Sequence, residues 1–102
     1  MYVVVWEFQV REGCEAEFER LYGPEGDWVR LFRNGEGFLE TELLKDSVTP
    51  GRYLTVDRWA SPAAYDAFRK AHSEQFHVID QRGELLTMRE TPLGAFLPTP
   101  DS

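Results

Sequence analysis

His72 and His77 are the only histidines of this 102-residue chain, and histidine is the residue type whose ordinary pKa lies nearest neutral pH. Proton abstraction from a substrate needs such a group, so both are candidate catalytic bases. Their i, i+5 spacing turns them to different faces of a helix, which is poor geometry for sharing a metal ion, and no metal site is expected. A plainer account stands beside each: His72 as a helix-stripe residue at the edge of the core, and His77 as a solvent-exposed side chain. A second group of residues alternates along a strand. Tyr53, Thr55, Asp57 and Trp59 share one face. There Trp59 is a candidate catalytic residue lining an aromatic pocket, Tyr53 a second wall, and Asp57 or the adjacent Arg58 a group that orients a polar atom of a ligand. The alternative is a packing tryptophan beside a surface ion pair of little energetic value. That face is either pocket or dimer core, and spacing alone does not choose.

Other chemistry is less well supplied. Glu40 and Glu42 share a strand face and read as a solvated edge. Cys14 sits on an apolar helix stripe, where a thiol behaves as a small hydrophobe. No glycine-rich phosphate loop, nucleophile elbow or metal motif is present.

The elements that must position these residues follow from periodicity and punctuation. Tyr2–Val10 is β-branched and aromatic, hence a strand. Cys14, Phe18, Leu21 and Tyr22 make one face of a helix from Cys14 to Tyr22. Gly23-Pro-Glu-Gly26 breaks it, and Asp27 is placed to cap a short second helix carrying Trp28, Leu31 and Phe32. Phe38–Asp46 and Arg52–Ala60 form a hairpin across the Pro50-Gly51 turn. Ser61-Pro62 starts a third helix, with serine at the cap and proline in the first turn. A further helical stretch runs from Ser73 to about Leu85. Leu86–Glu90 and Leu93–Leu97 read as a last strand, bulged or broken at Pro92. The order is β-α-(α)-β-β-α-(α)-β, which predicts an α+β chain with an antiparallel sheet in the ferredoxin-like split βαβ arrangement. Residues 1–97 form the expected domain and 98–102 a flexible tail, because Pro98 and Pro100 interrupt any ladder.

An antiparallel sheet with helices on one side should be polar on the other. This one is apolar on both. Tyr2, Val4, Trp6, Phe8 and Val10 point one way, Val3 and Val5 the other. The second strand offers Phe38 and Leu44 against Leu39 and Leu43, and the third offers Leu54 and Val56 against Tyr53 and Trp59. The helices cover only one face, so a homodimer is expected to cover the second. The formal net charge of −7, with arginines scattered rather than striped, argues against nucleic acid and against an anionic membrane surface. One cysteine and a start too short for a signal segment predict a reducing, cytoplasmic setting.

The opening VVVWEFQVREG, the helix EAEFERLY, the segment GFLETELLKD and above all GRYLTVDRWASPAAYDAFRKAH resemble the antibiotic biosynthesis monooxygenase family of the dimeric α/β-barrel superfamily, over residues 2 to about 97. The resemblance implies two ferredoxin-like sheets packed face to face into a barrel, with a pocket between sheet and helices in each subunit. Some members oxidise electron-rich polycyclic quinols or anthrones with O₂ and no cofactor, others cleave heme, and others have no known activity. The heme-cleaving branch uses an asparagine on the first strand with a tryptophan and a histidine on the second helical segment. Here the first strand has Trp6, Glu7 and Gln9, and the tryptophan position is Phe68, so heme cleavage is not implied. Phe68 is carried instead as a substrate-binding candidate. Two expectations follow: a cofactor-independent monooxygenase acting on an electron-rich aromatic, or a non-catalytic dimer that binds a small hydrophobic molecule or serves a pathway partner.

Overall fold

The structure, a computed structural model, describes residues 1–100. Its elements run β1 (Tyr2–Val10), α1 (Glu15–Tyr22), α2 (Asp27–Phe32), β2 (Phe38–Lys45), β3 (Arg52–Trp59), α3 (Pro62–Ala71), α4 (Ser73–Glu84) and β4 (Thr87–Phe96). The strands make one antiparallel sheet of order β2-β3-β1-β4, the ferredoxin-like α+β arrangement, with the helices on one side. No helix among the described residues is long and apolar enough to cross a membrane.

Local chemistry explains most boundaries. The Ser61 hydroxyl accepts the Ala64 amide at 3.1 Å and Pro62 opens the first turn of α3, a cap worth about 1 kcal/mol. The start of α2 differs from expectation. Gly26, not Asp27, holds the cap position, because a Cβ there would lie 2.5 Å from the carbonyl oxygens of Arg20 and Leu21. Asp27 lies inside the helix and binds Arg30 and Arg82, tying α2 to α4. The last strand takes the first of its two expected forms, bulged and not broken: β4 runs through Pro92. It is an edge strand, where a missing N–H is tolerated, and it meets Pro92 with a register shift opposite Val5 and Trp6. The expected tail begins just beyond β4, and residues 101 and 102 lie outside the described residues.

The two faces of the central strands separate cleanly. Pairing of β1 with β3 puts the rows Tyr2–Trp59, Val4–Asp57, Trp6–Thr55 and Phe8–Tyr53 under the helices. On β2 the faces are not those expected. A register shift between Phe38 and Glu40 brings Phe38 and Leu43 to the helix side, turns Leu44 to the open side and leaves Leu39 exposed. The core is largely aromatic. Phe18 stacks on Tyr22 at 4.2 Å between ring centroids and meets Tyr53 at 4.9 Å, while Phe32 and Phe68 pack on Trp59 at 5.6 and 5.0 Å. Such pairs add about 0.5–1.5 kcal/mol each beyond the area they bury.

The open face carries Val3, Val5, Leu54, Val56, Leu44 and Phe96. Ion pairs bound this apolar strip at both ends: Glu7–Arg52–Asp46 at one, Arg58 with Glu40 and Glu42 at the other.

One helix contact is tight enough to test. Gly83 of α4 lies under the ring of Tyr22, where a Cβ would come within 2.0 Å of the hydroxyl oxygen and 3.0 Å of Cζ. Helix propensity alone would favour alanine by about 1 kcal/mol, but overpacking costs about 1–3 kcal/mol and wins. Gly83→Ala is expected to lower unfolding free energy in urea by about that amount, with a smaller loss in a Tyr22→Phe background.

Candidate functional site

Between the sheet and the helices lies a cavity of about 180 Å³, larger than the ~150 Å³ that suffices for a benzene ring. It exists because the middle rows of the β1–β3 pair are Val4–Asp57 and Trp6–Thr55, while the outer rows are filled by aromatic pairs. Trp6 and Phe8 form its floor with Thr41, Thr55 and Asp57. Phe32 and Trp28 of α2 and Phe76 of α4 close it from above, and Tyr65 and Arg69 of α3 stand at one side.

Asp57 is the charged group of the central strands that faces this space. Alternation on β3 puts it on the helix side between Val4 of β1 and Thr41 of β2. The residue is half-buried, and the surface it keeps is cavity wall. The Thr41 hydroxyl donates to Oδ1 at 2.7 Å. Burial among apolar groups pushes the carboxyl up from its ordinary value to about 6, against the opposing effect of the Thr41 bond. Among the described residues no Lys, Arg or His forms an ion pair with it. Arg69, the nearest candidate by lining, stacks on Phe76 at 4.2 Å and lies 5.8 Å from the ring of Tyr65, whose hydroxyl it reaches at 3.3 Å. The Tyr65 hydroxyl is itself pushed up, chiefly by burial. The far end of the cavity is also polar: Tyr22, Asp80 and Glu90 line it.

This arrangement can bind a flat aromatic molecule, orient a hydroxyl or acidic C–H against Asp57, and accept a proton near neutral pH. Among the described residues no group of three or more His, Cys, Asp or Glu side chains could hold a metal ion.

Of the residues given a site role from sequence, Asp57 alone lines the cavity, joined there by Thr55 of the same strand face. Trp59 is fully buried in the core behind it, and its indole N–H has no partner. Phe68 is buried against Trp59. Tyr53 is buried with its hydroxyl donating to Glu19. Arg58 lies on the opposite face of the sheet, paired with Glu40 and Glu42. His72 joins α3 to α4, half-buried, its ring 5.1 Å from that of Phe68. His77 is exposed on α4. Neither histidine borders the cavity. Sequence reasoning did not pick out Trp6, Thr41, Tyr65, Arg69 or the Tyr22 end. One signal was available: Thr55 and Asp57 are polar residues on a strand face that also carries Tyr53 and Trp59, and polar groups on a core face mark a site or a void.

Comparison with known proteins bears on the whole arrangement. The family model described as antibiotic biosynthesis monooxygenase matches residues 1–79. No curated protein matches significantly by sequence. Solved structures share the fold. A variant of SnoaB, a cofactor-independent oxygenase from Streptomyces nogalater, superposes with a TM-score of 0.80 at 21% identity, covering 95% of this chain and 91% of its own. A crystal structure described as antibiotic biosynthesis monooxygenase gives 0.75 at 19% identity, with 98% and 100% covered. Rv0793 from Mycobacterium tuberculosis gives 0.73 at 18% identity, with 96% and 94% covered. With the family model matched across most of its length and the same sheet and helices in these structures, the chain belongs to the antibiotic biosynthesis monooxygenase family.

Proposed function

We propose that this protein is a cofactor-independent oxygenase of an electron-rich aromatic, of quinol or anthrone type, with Asp57 as the base. The observation that carries this reading is a carboxylate with no ion-pair partner among the described residues, raised to about 6, inside an aromatic cavity. Membership of the family and the fold shared with SnoaB support it. Asp57 takes a proton from the activated ring CH₂. The resulting carbanion gives its electrons to O₂ and forms a C–O bond. The peroxide anion recovers the proton from Asp57, and the hydroperoxide loses water to leave a carbonyl. The net change is CH₂ + O₂ → C=O + H₂O. The protein supplies the base, the orientation and a dry aromatic wall.

With anthrone as probe in an oxygen electrode, uptake is expected to match anthrone consumed one for one. The rate constant kcat/KM should rise with pH through an apparent pKa near 6. Asp57→Asn should lower it by about 10²–10⁴-fold and remove that limb of the profile. Absence of uptake above buffer with anthrone still bound would favour the non-catalytic binder instead.

The same carboxyl has a cost in stability. Its folded pKa lies above the ordinary value of 3.8, so its favourable contribution is complete below about pH 4 and is lost as pH rises through about 6. Asp57→Asn should therefore be more stable than the parent at pH 8, by roughly 1–3 kcal/mol, with the gain fading towards pH 4. Urea unfolding at the two pH values reads this directly.

A second copy of the chain is the proposed cover for the open face. A twofold axis through the Val5–Val56 pair lays one apolar strip on the other and leaves the ion-paired ends at the rim. Light scattering behind size exclusion should give twice the chain mass of 11.8 kDa, and Val56→Lys should return the single-chain value.

A further inference from the structure

The base of the proposed reaction is held by a residue of the neighbouring strand. Thr41 of β2 and Asp57 of β3 are direct cross-strand partners, which puts their Cβ atoms about 4.5–5.5 Å apart on one face of the sheet. Plain alternation would not bring Thr41 to that face. Phe38 packs against the core under the helices, and an uninterrupted strand would then carry Glu40 and Glu42 beside it and turn Thr41 away. Leu39 is the extra residue of a bulge: Phe38 pairs with Trp59, whereas Glu40 pairs with Arg58. The bulge sends both glutamates to the open side, where they bind Arg58, and aims the Thr41 hydroxyl at Asp57. Bulges re-aim side chains in this way beside functional sites.

The bond orders the carboxylate. Thr41 Oγ1 donates to Oδ1 at 2.7 Å, and among the described residues no other side chain donates to Asp57. Thr55, the other threonine lining the cavity, makes no hydrogen bond to it. A threonine hydroxyl has one proton to give, and its branched Cβ restricts χ1. Oδ1 therefore stays occupied whether the carboxyl is charged or neutral, and a proton taken from the substrate resides on Oδ2. The oxygen that receives the proton from carbon is then the one that returns it to the peroxide anion, with no rotation of the carboxyl between the two steps.

Few ionisable groups face Asp57. β1 presents Val4 and Trp6, and β2 presents Thr41. From α3 come Tyr65, whose hydroxyl feels the Asp57 charge, and Arg69, which reaches that hydroxyl. At the far end α1, α4 and β4 contribute Tyr22, Asp80 and Glu90, while α2 adds only Trp28 and Phe32. Against burial, the Thr41 bond is the one opposing influence on the carboxyl.

We propose that Thr41 is the positioning residue of the base: it fixes the Asp57 carboxylate with Oδ2 free for the substrate and sets the pH at which the reaction turns on. This rests on the reading of Asp57 as base, and the test separates the two. Oxygen uptake with anthrone is followed against pH for the parent, Thr41→Val and Thr41→Ser. Carbon-13 NMR titration of the aspartate carboxyls runs beside it, with Asp57→Asn identifying the Asp57 signal. Loss of the hydroxyl should raise the Asp57 pKa by about one to two units, because the bond favours the charged form. The rising limb of kcat/KM should move up with it, and the plateau should fall by about tenfold as the carboxylate loses its orientation. Thr41→Ser keeps the donor and should hold the pKa within about half a unit of the parent while regaining most of the plateau. A Thr41→Val profile lowered evenly at every pH with its pKa unmoved, or a serine variant no better than valine, would overturn the proposal. Should Thr41→Val not fold, Thr41→Ala reads the same shift. No uptake by the parent removes the base reading and this role with it, whereas uptake with an Asp57 signal that titrates alike in parent and valine variant overturns the role of Thr41 alone.

Discussion

The pairing of β1 with β3 is the constraint on which the rest of this molecule depends. It fixes four rows beneath the helices, and those rows are unequal in volume. The end rows, Tyr2–Trp59 and Phe8–Tyr53, are aromatic on both sides and support the helices. The middle rows, Val4–Asp57 and Trp6–Thr55, offer only one large ring between them. Interiors pack to crystal-like density wherever side chains can reach, so a deficit of volume flanked by rigid aromatic rows persists as a cavity instead of collapsing. The same register that builds the core therefore leaves a gap in its middle. It sends Asp57 into that gap, and it sends Val5 and Val56 to the opposite face.

Much of this was legible in the sequence, and the parts that were not have a common cause. The element order, the Ser61-Pro62 helix start and the two-sided apolar pattern of β1 and β3 are local properties, carried by residues within a turn or a strand of each other. The Gly26 cap, the faces of β2 and the continuity of β4 depend on groups distant along the chain. A Cβ at Gly26 is excluded by carbonyls of α1, the β2 faces are set by a register shift against β3, and Pro92 is tolerated because nothing pairs beyond β4. The site followed the same division. Asp57 could be picked out because it is polar on a strand face shared with Tyr53 and Trp59. Tyr22 and Glu90 could not, because only the shifted register of β4 brings Glu90 opposite Phe8. The histidines drew attention through residue type, which carries no information about the direction a helix face takes.

The polar groups inside the aromatic shell are held at a cost. Asp57 is raised by burial with one hydroxyl for support, and Glu90 is raised by burial and by the neighbouring Asp80. A core selected for stability alone would carry apolar residues at these positions. The Trp59 indole N–H, buried in aromatic packing behind the cavity without a partner, is a further polar group held in this way.

The outer border of β4 has a consequence for how copies of the chain can meet. Met88 and Leu93 are exposed on this strand, and a flat apolar border would invite another strand to add to the sheet without limit. Pro92 removes a donor from it, two register shifts distort its line, and Gly94 takes a positive φ of 132°. Extension sideways is thereby discouraged, while the flat apolar strip on the open face stays available for contact. Geometry of this kind favours closed pairs over open-ended filaments.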